Sequence, residues 1–403
     1  VTVKNNKVYC PIPWTEVHIN ADGTYHPCGA QPNRVSGTEF GSQHNVHNMS
    51  IHKWMQSMYQ QQNRINKLNS VADDLCNMCY REEELNKSSK RKRELDKFTE
   101  IPVKFLSPYT FDLPVSYHIS LGNECNLACR MCGPTFSSAS AAEQKRIGIW
   151  NGPVKLNWTD DPAAWQMVIN TMTATPDLQA VHVIGGEPLI NDRFERMVDA
   201  LIAANLTNIY IGFTTNGTFF DQGLVEKLNV FRHVDIGISI ETADKLNDFV
   251  RTGTDTAQVL ENIKLFLKHR KAGHVYVTVR TVPSALSVHS IDGLFKWCIE
   301  HEVDVMSNML FRPEHLRINN LPENIKQRLL EKFSSWQYST RDTTGTNDRD
   351  PTYFREHIDH ELRAIVKMLE QPADPQMTEK LYGTLESWQW FNDEDIRNYF
   401  FIA

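Results

Sequence analysis

Cys125, Cys129 and Cys132 stand at i, i+4 and i+7 in the stretch Gly122-Asn123-Glu124-Cys125-Asn126-Leu127-Ala128-Cys129-Arg130-Met131-Cys132-Gly133, directly after an apolar strand-like run. Three thiolates so spaced on one loop can hold three irons of a cubane cluster and leave the fourth iron without a protein ligand. Such a cluster can bind and reduce a substrate or cofactor as well as relay electrons. Thiolate softness alone would also admit zinc or a ferredoxin-type site, but structural zinc wants four closed ligands. A second set, Cys10, Cys28, Cys76 and Cys79, lies earlier in the chain. The eighth cysteine, Cys298 in Phe295-Lys296-Trp297-Cys298-Ile299, reads as a buried helix residue.

These groups need a scaffold, and 403 residues suffice for a large core and more than one structural unit. A hydrophobic fraction of 41% and a charged fraction of 23% are ordinary for a soluble globular protein. A net charge of −7 gives no general pull toward nucleic acid or anionic membrane. The basic run Lys87-Ser88-Ser89-Lys90-Arg91-Lys92-Arg93 follows Glu82, Glu83 and Glu84 and reads as a solvated helix or linker. No stretch approaches the ~20 apolar residues of a membrane span, and residues 1–7 lack a signal-peptide core. The expected compartment is the cytoplasm, where thiols stay reduced and clustered cysteines read as metal ligands rather than disulfides.

Strand-like runs fall at 115–121, 180–184, 208–214, 234–240, 275–282 and 303–311, with helical periodicity at 139–149, 163–173, 193–203, 224–230, 257–271 and 291–301. Six strand–helix alternations predict an α/β fold with a parallel sheet: an open, partial (β/α)6 TIM-type barrel, with a doubly wound sheet as the alternative. In either fold, ligands sit in the loops after the strands. The cysteine triplet follows the first strand, Gly185-Gly186-Glu187-Pro188 the second, and Thr215-Asn216-Gly217-Thr218 the third. The chain therefore divides into a small cysteine-rich part at 1–100, with helices at 51–66 and 81–97, the barrel at 101–312, and a helical extension at 313–403. The aromatic end, Trp388-Gln389-Trp390-Phe391 through Tyr399-Phe400-Phe401, reads as a packing element closing the open side of the barrel.

Cys125-x3-Cys129-x2-Cys132 followed by Gly185-Gly186-Glu187-Pro188 resembles the signature of the radical S-adenosylmethionine (SAM) superfamily, over roughly 115–311. The resemblance implies that the three cysteines hold a 4Fe–4S cluster and that SAM chelates its open iron. One electron then cleaves SAM to methionine and a 5′-deoxyadenosyl radical, which removes a hydrogen atom from an unactivated carbon. Gly185 and Gly186 would let the backbone approach the methionyl end, with Glu187 near the SAM ammonium. Met131 occupies the position of a residue packed on adenine, and Asn216 lies on the loop after the third strand. Ser239-Ile240-Glu241, with Arg251 twelve residues after Ser239, resembles a SAM-contacting segment of the branch that modifies peptides and proteins. Arg251 would pair with the SAM carboxylate. Glu241 stands where that branch often has Asp, and Thr242 where it has Gly. Arg280 on the fifth strand is a further candidate contact for SAM or substrate.

Cys10-x12-Gly23-x4-Cys28 with Cys76-x2-Cys79 resembles the auxiliary-cluster extensions called SPASM and twitch domains. Residues 10–23 look like their opening hairpin, with Asp22-Gly23 as the turn. No further cysteines follow as in SPASM, which points to the shorter twitch form with one auxiliary 4Fe–4S cluster. Here the extension precedes the barrel instead of following it. A four-cysteine zinc ribbon has the same ligand chemistry. Histidines His18, His26, His44, His47 and His52 crowd this region without a paired ligand spacing. The resemblance implies an oxidoreductase acting on a peptide or protein side chain, supplied by an electron donor such as flavodoxin or ferredoxin. Chemistry on a sugar, nucleotide or other small molecule is the alternative, and a non-catalytic electron-transfer or binding protein on the same fold is a third. No catalytic acid or base is named by the sequence.

Overall fold

Alternation of period two builds the sheet. In β3 (Ser116–Ser120), Tyr117 and Ile119 are buried while His118 between them is half-buried. In β4 (Ala180–Ile184), Val181 and Val183 are buried around His182 in the same way. β1 (Glu16–Ile19), β2 (Tyr25–His26), β5 (Tyr210–Thr215), β6 (His233–Ser239), β7 (Val275–Thr281) and β8 (Asp304–Ser307) complete the set. The order is β2-β1-β3-β4-β5-β6-β7-β8, a mostly parallel and unclosed sheet of eight strands. This computed structural model describes residues 6–29, 39–98, 100–109, 113–336 and 351–388. Of the C-terminal aromatic run, only Trp388 falls among them.

Two compact units are present. The first takes the described residues of Val1–Asn126, Gly133–Thr214 and Gly223–Asp235; the second takes those of Leu127–Cys132, Thr215–Gln222 and Ile236–Ala403. In the first, β1 pairs antiparallel with β2 and parallel with β3, and β3, β4 and β5 continue in parallel. Phe194, on the helix Arg193–Ala203, packs on Phe213 of β5 at 4.7 Å between ring centroids. In the second, β7 and β8 are parallel. The helix Thr256–His269 packs on β7, and Ile291–Glu300 packs on β8. Val277, Val279, Val305, Ile263, Phe266 and Leu294 are all buried there, each worth about 1.5–3 kcal/mol relative to exposure. Cys298 is fully buried on the last helix, as its apolar context predicts.

An edge strand leaves unpaired backbone groups. β2 limits that exposure by having two residues. At β8, the helix Pro351–Leu369 covers the edge: the Ser307 N–H donates to Glu361 Oε2 at 3.1 Å, and His357 Nε2 donates to the Val305 carbonyl at 2.5 Å.

The N-terminal part departs from expectation in four ways. The hairpin expected over 10–23 is shifted: Ile12–Thr15 is a short helix, and the hairpin pairs Glu16–Ile19 with Tyr25–His26 around Gly23 at φ +82°, while its first strand also enters the main sheet beside β3. The helix expected over 51–66 breaks into Ile51–Met55 and Met58–Leu68, because Ser57 caps the second piece by accepting from the Gln60 N–H at 3.3 Å. The one expected over 81–97 breaks into Asn77–Glu84 and Lys90–Asp96, with Asn86 at φ +60° and Ser89 accepting from the Lys92 N–H at 3.1 Å. Nor is the basic run a solvated face. Lys87 and Arg91 are buried, Arg91 pairs with Glu83, and Lys90 pairs with Glu16 at 2.7 Å.

Candidate active site

The cysteine loop begins in the first unit with Cys125 and enters the second with Cys129 and Cys132. In the first unit, Ser138 Oγ, on the helix Ser138–Arg146, accepts from the Cys125 N–H at 3.1 Å. The Gly185-Gly186-Glu187 turn lies directly on this part of the loop. The Glu187 N–H donates to the Glu124 carbonyl at 2.7 Å, and the Gly186 N–H to the Phe136 carbonyl at 3.1 Å. Both glycines have positive φ, +82° and +58°. A Cβ on Gly186 would overlap the Glu124 carbonyl and reach Asn123 C and Glu124 N at 2.9 Å. The turn therefore needs glycine for conformation and for space. Glu187 is buried, and its Oε1 accepts from the Leu189 N–H at 3.0 Å.

In the second unit, the Ala128 N–H donates to the Thr252 carbonyl at 3.0 Å and the Arg130 N–H to the Val250 carbonyl at 2.8 Å. These two bonds set Cys129 opposite Arg251. Arg251 Nη1 donates to Glu241 Oε1 at 3.0 Å. Glu241 Oε2 accepts from the Val282 N–H at 2.6 Å and from Thr281 Oγ1 at 3.1 Å. Glu241 thus spends both oxygens within the chain and serves as the anchor of Arg251. Burial pushes the Glu241 carboxyl upward, opposed by Arg251, the Val282 N–H and the Thr281 hydroxyl. Burial would lower Arg251, but Cys129 and Glu241 outweigh it and hold the guanidinium charged. Burial raises the Cys129 thiol, Arg251 pulls it down, and Glu241 raises it again. Arg251 Nε remains buried with no hydrogen-bond partner, a donor in want of an acceptor.

The other candidates fall as follows. Met131 is half-buried between Arg130 and Cys132, and Ser239 is half-buried at the end of β6. Asn216 is buried, its Oδ1 accepting from the Thr218 N–H at 3.0 Å. Thr242 donates to Asp244 Oδ1 at 2.8 Å, which shapes the turn after Glu241. Arg280 lies across Gly237, where a Cβ would overlap its Nε.

Cys10, Cys28, Cys76 and Cys79 line one cavity in the first unit, of about 410 Å³ counted with its open mouth. Ile12, Pro13, Pro27 and Leu75 form its apolar wall, and Lys67 and Arg91 reach it. Burial raises Cys10 strongly, and its proximity to Cys28 adds to the shift. Among the described residues, no group of three or more His, Cys, Asp or Glu is placed closely enough to hold a metal ion.

Sequence reasoning passed over one row of side chains. His18, His118 and His182 stand in register on β1, β3 and β4, ring edges to faces at 4.8 and 4.9 Å between centroids. His26 on β2 lies across from His18. Lys90 Nζ donates to His118 Nδ1 at 3.1 Å and to Glu16 at 2.7 Å. Burial, with help from His26, lowers His18 to about 3, so its imidazole is neutral. A signal existed: Val17-His18-Ile19, Tyr117-His118-Ile119 and Val181-His182-Val183 each centre a histidine in an apolar strand.

Residues 119–283 match the family model for the Radical SAM superfamily. No curated protein matches the chain. Among solved structures, native anSMEcpe with bound AdoMet is 19% identical over 55% of this chain and 60% of its own, with a TM-score of 0.42. SuiB of Streptococcus suis bound to S-adenosylmethionine is 18% identical over 70% and 59%, with a TM-score of 0.38. SuiB bound to its precursor peptide SuiA is 18% identical over 66% and 62%, also at 0.38. The chain spans about 60% of the length of the solved structures it matches. Among the described residues, no helix is long and apolar enough to cross a membrane.

Proposed function

We propose that the chain is a radical SAM oxidoreductase acting on a peptide or protein side chain, with an auxiliary 4Fe–4S cluster in its N-terminal part. The observation that carries the SAM reading is Arg251, opposite Cys129 and anchored by Glu241, with its buried Nε awaiting an acceptor. A carboxylate such as that of SAM meets that need. Cys125, Cys129 and Cys132 would hold the SAM-binding cluster, and the chemistry supplied on binding is one-electron cleavage of SAM to methionine and a 5′-deoxyadenosyl radical. The Gly185-Gly186-Glu187 turn would face the methionyl end, and Asn216, after β5, and Ser239, at the end of β6, are further candidate contacts. Met131 would cover the adenine. The peptide substrate rests on the resemblance of Ser239-Ile240-Glu241 and Arg251 to the peptide-modifying branch. A flavodoxin or ferredoxin in the cytoplasm would supply the electron.

Removing the Arg251 side chain is expected to weaken SAM binding at least about tenfold, through loss of a charge-assisted pair of ~1.4 kcal/mol or more. Arg251→Ala should also cost about 3–5 kcal/mol of stability, because Glu241 is left charged and buried. Arg251→Lys keeps the charge for Glu241 but not the fork, so it should recover stability more than affinity. Calorimetry showing wild-type SAM affinity in both variants would refute the assignment.

For the N-terminal site, the support is that Cys10, Cys28, Cys76 and Cys79 line one cavity with apolar walls. Full ligation by Cys10, Cys28, Cys76 and Cys79 suits electron transfer. The anaerobically reconstituted protein should carry about eight irons, falling to about four in a Cys10→Ala/Cys28→Ala double variant. Retention of the full iron content in that variant excludes the auxiliary cluster.

A further inference from the structure

The four-cysteine cavity contains a cation that no carboxylate answers. Lys67, on the helix Met58–Leu68, is 2% exposed, and its Nζ donates to Cys76 Sγ at 3.0 Å. The other two cations nearby have their own counter-charges. Arg91 pairs with Glu83 and donates to the Tyr9 carbonyl at 3.2 Å, and Lys90 pairs with Glu16 at 2.7 Å. Lys67 has no carboxylate partner among the described residues, and its backbone carbonyl is held by Asn6 Nδ2 at 3.0 Å. Burying an ammonium without a counter-charge is strongly unfavourable.

We propose that Lys67 is the built-in counter-ion of the N-terminal cluster and raises its reduction potential, fitting this site to take one electron from the substrate radical, which is thereby oxidised. This inference rests on the auxiliary 4Fe–4S reading above. Four thiolates on a 2+ core carry a net charge of two minus; reduction adds one electron and no proton, making it three minus. A fixed positive charge in hydrogen-bond contact with one ligand sulfur stabilises the more negative state more. Net charge and hydrogen bonds to sulfur are the levers that set such potentials. The helix holds Lys67 in place, so its effect is present before any substrate arrives.

The test is an EPR-monitored redox titration of the reconstituted full chain, following the cluster signal that added SAM does not perturb. Lys67→Met and Lys67→Gln should each cut the reduced-to-oxidised ratio at a given potential about tenfold, a fall of about 59 mV for one electron. Lys67→Arg should stay within about threefold of wild type, because the charge is kept. The glutamine variant retains a donor for Cys76, so a wild-type midpoint in Lys67→Gln would overturn the role of the fixed charge, as would an unchanged midpoint in Lys67→Met with full iron. A wild-type chain with one zinc, about four irons and no SAM-insensitive signal would instead overturn the auxiliary-cluster reading beneath it.

Discussion

Cys129→Ala is expected to abolish release of 5′-deoxyadenosine from SAM under dithionite, to the level of the no-enzyme control. Cys129 is the middle cysteine of the triplet and the most buried, with Arg251 held opposite by the two backbone bonds that flank it. No other cysteine lies in the loop to replace it, and alanine offers no ligand. If the triplet holds a cluster with one open iron, as proposed, losing Cys129 leaves two irons without protein thiolates. The control is Cys298→Ala, also buried but on the helix Ile291–Glu300 away from either cysteine set in the sequence. It removes one buried heavy atom, costing about 1 kcal/mol, and should leave iron content and SAM cleavage intact. Product formation by the Cys129 variant, measured by chromatography under anaerobic conditions, would show that the cluster is held elsewhere.

Gly186→Ala is the second large effect. At φ +58° an alanine pays about 1–2 kcal/mol for the left-handed conformation. Its Cβ would also overlap the Glu124 carbonyl, and backbone cannot rotate aside as a side chain can. The Glu187 N–H bond to that same carbonyl at 2.7 Å pins the two segments together. Overpacking of this kind adds about 1–3 kcal/mol, for an expected total of about 2–5 kcal/mol, together with loss of SAM binding as the turn is pushed off the cysteine loop. Gly273→Ala supplies the comparison: φ is +77°, but nothing lies within 4 Å of its Cβ, so it should cost only the conformational part. Equal losses for the two variants in urea unfolding would mean that the turn is not packed on the loop as described.

The site and the fold were legible to different degrees. The run 180–184 was read with the bounds β4 has, and the other five barrel strands were located within a few residues, because apolar residues alternate with polar ones along each. The helices expected over 51–66 and 81–97 are each interrupted because Ser57 and Ser89 cap the second pieces. The basic run was misread for a different reason. Its counter-charges, Glu16 and Glu83, are assigned by the fold, and Glu16 is 74 residues from Lys90. Nothing local distinguishes a lysine bound for solvent from one bound for a buried carboxylate.

The sequence by itself marked both cysteine sets as candidate metal ligands, since residue type and number are read directly from it and the spacing of Cys125, Cys129 and Cys132 is local. It also determined the strand that each loop follows, since side-chain alternation is local. Only the tertiary structure decided which distant groups act on those thiols. Arg251 faces Cys129 because two backbone hydrogen bonds lock their segments. Glu241, a candidate cofactor contact, anchors that arginine. Lys67 meets Cys76, and three histidines line up across β1, β3 and β4, because strand register and helix placement bring them there. Electrostatic and hydrogen-bonding partners are chosen by distance in space, and that distance is set only when the core packs.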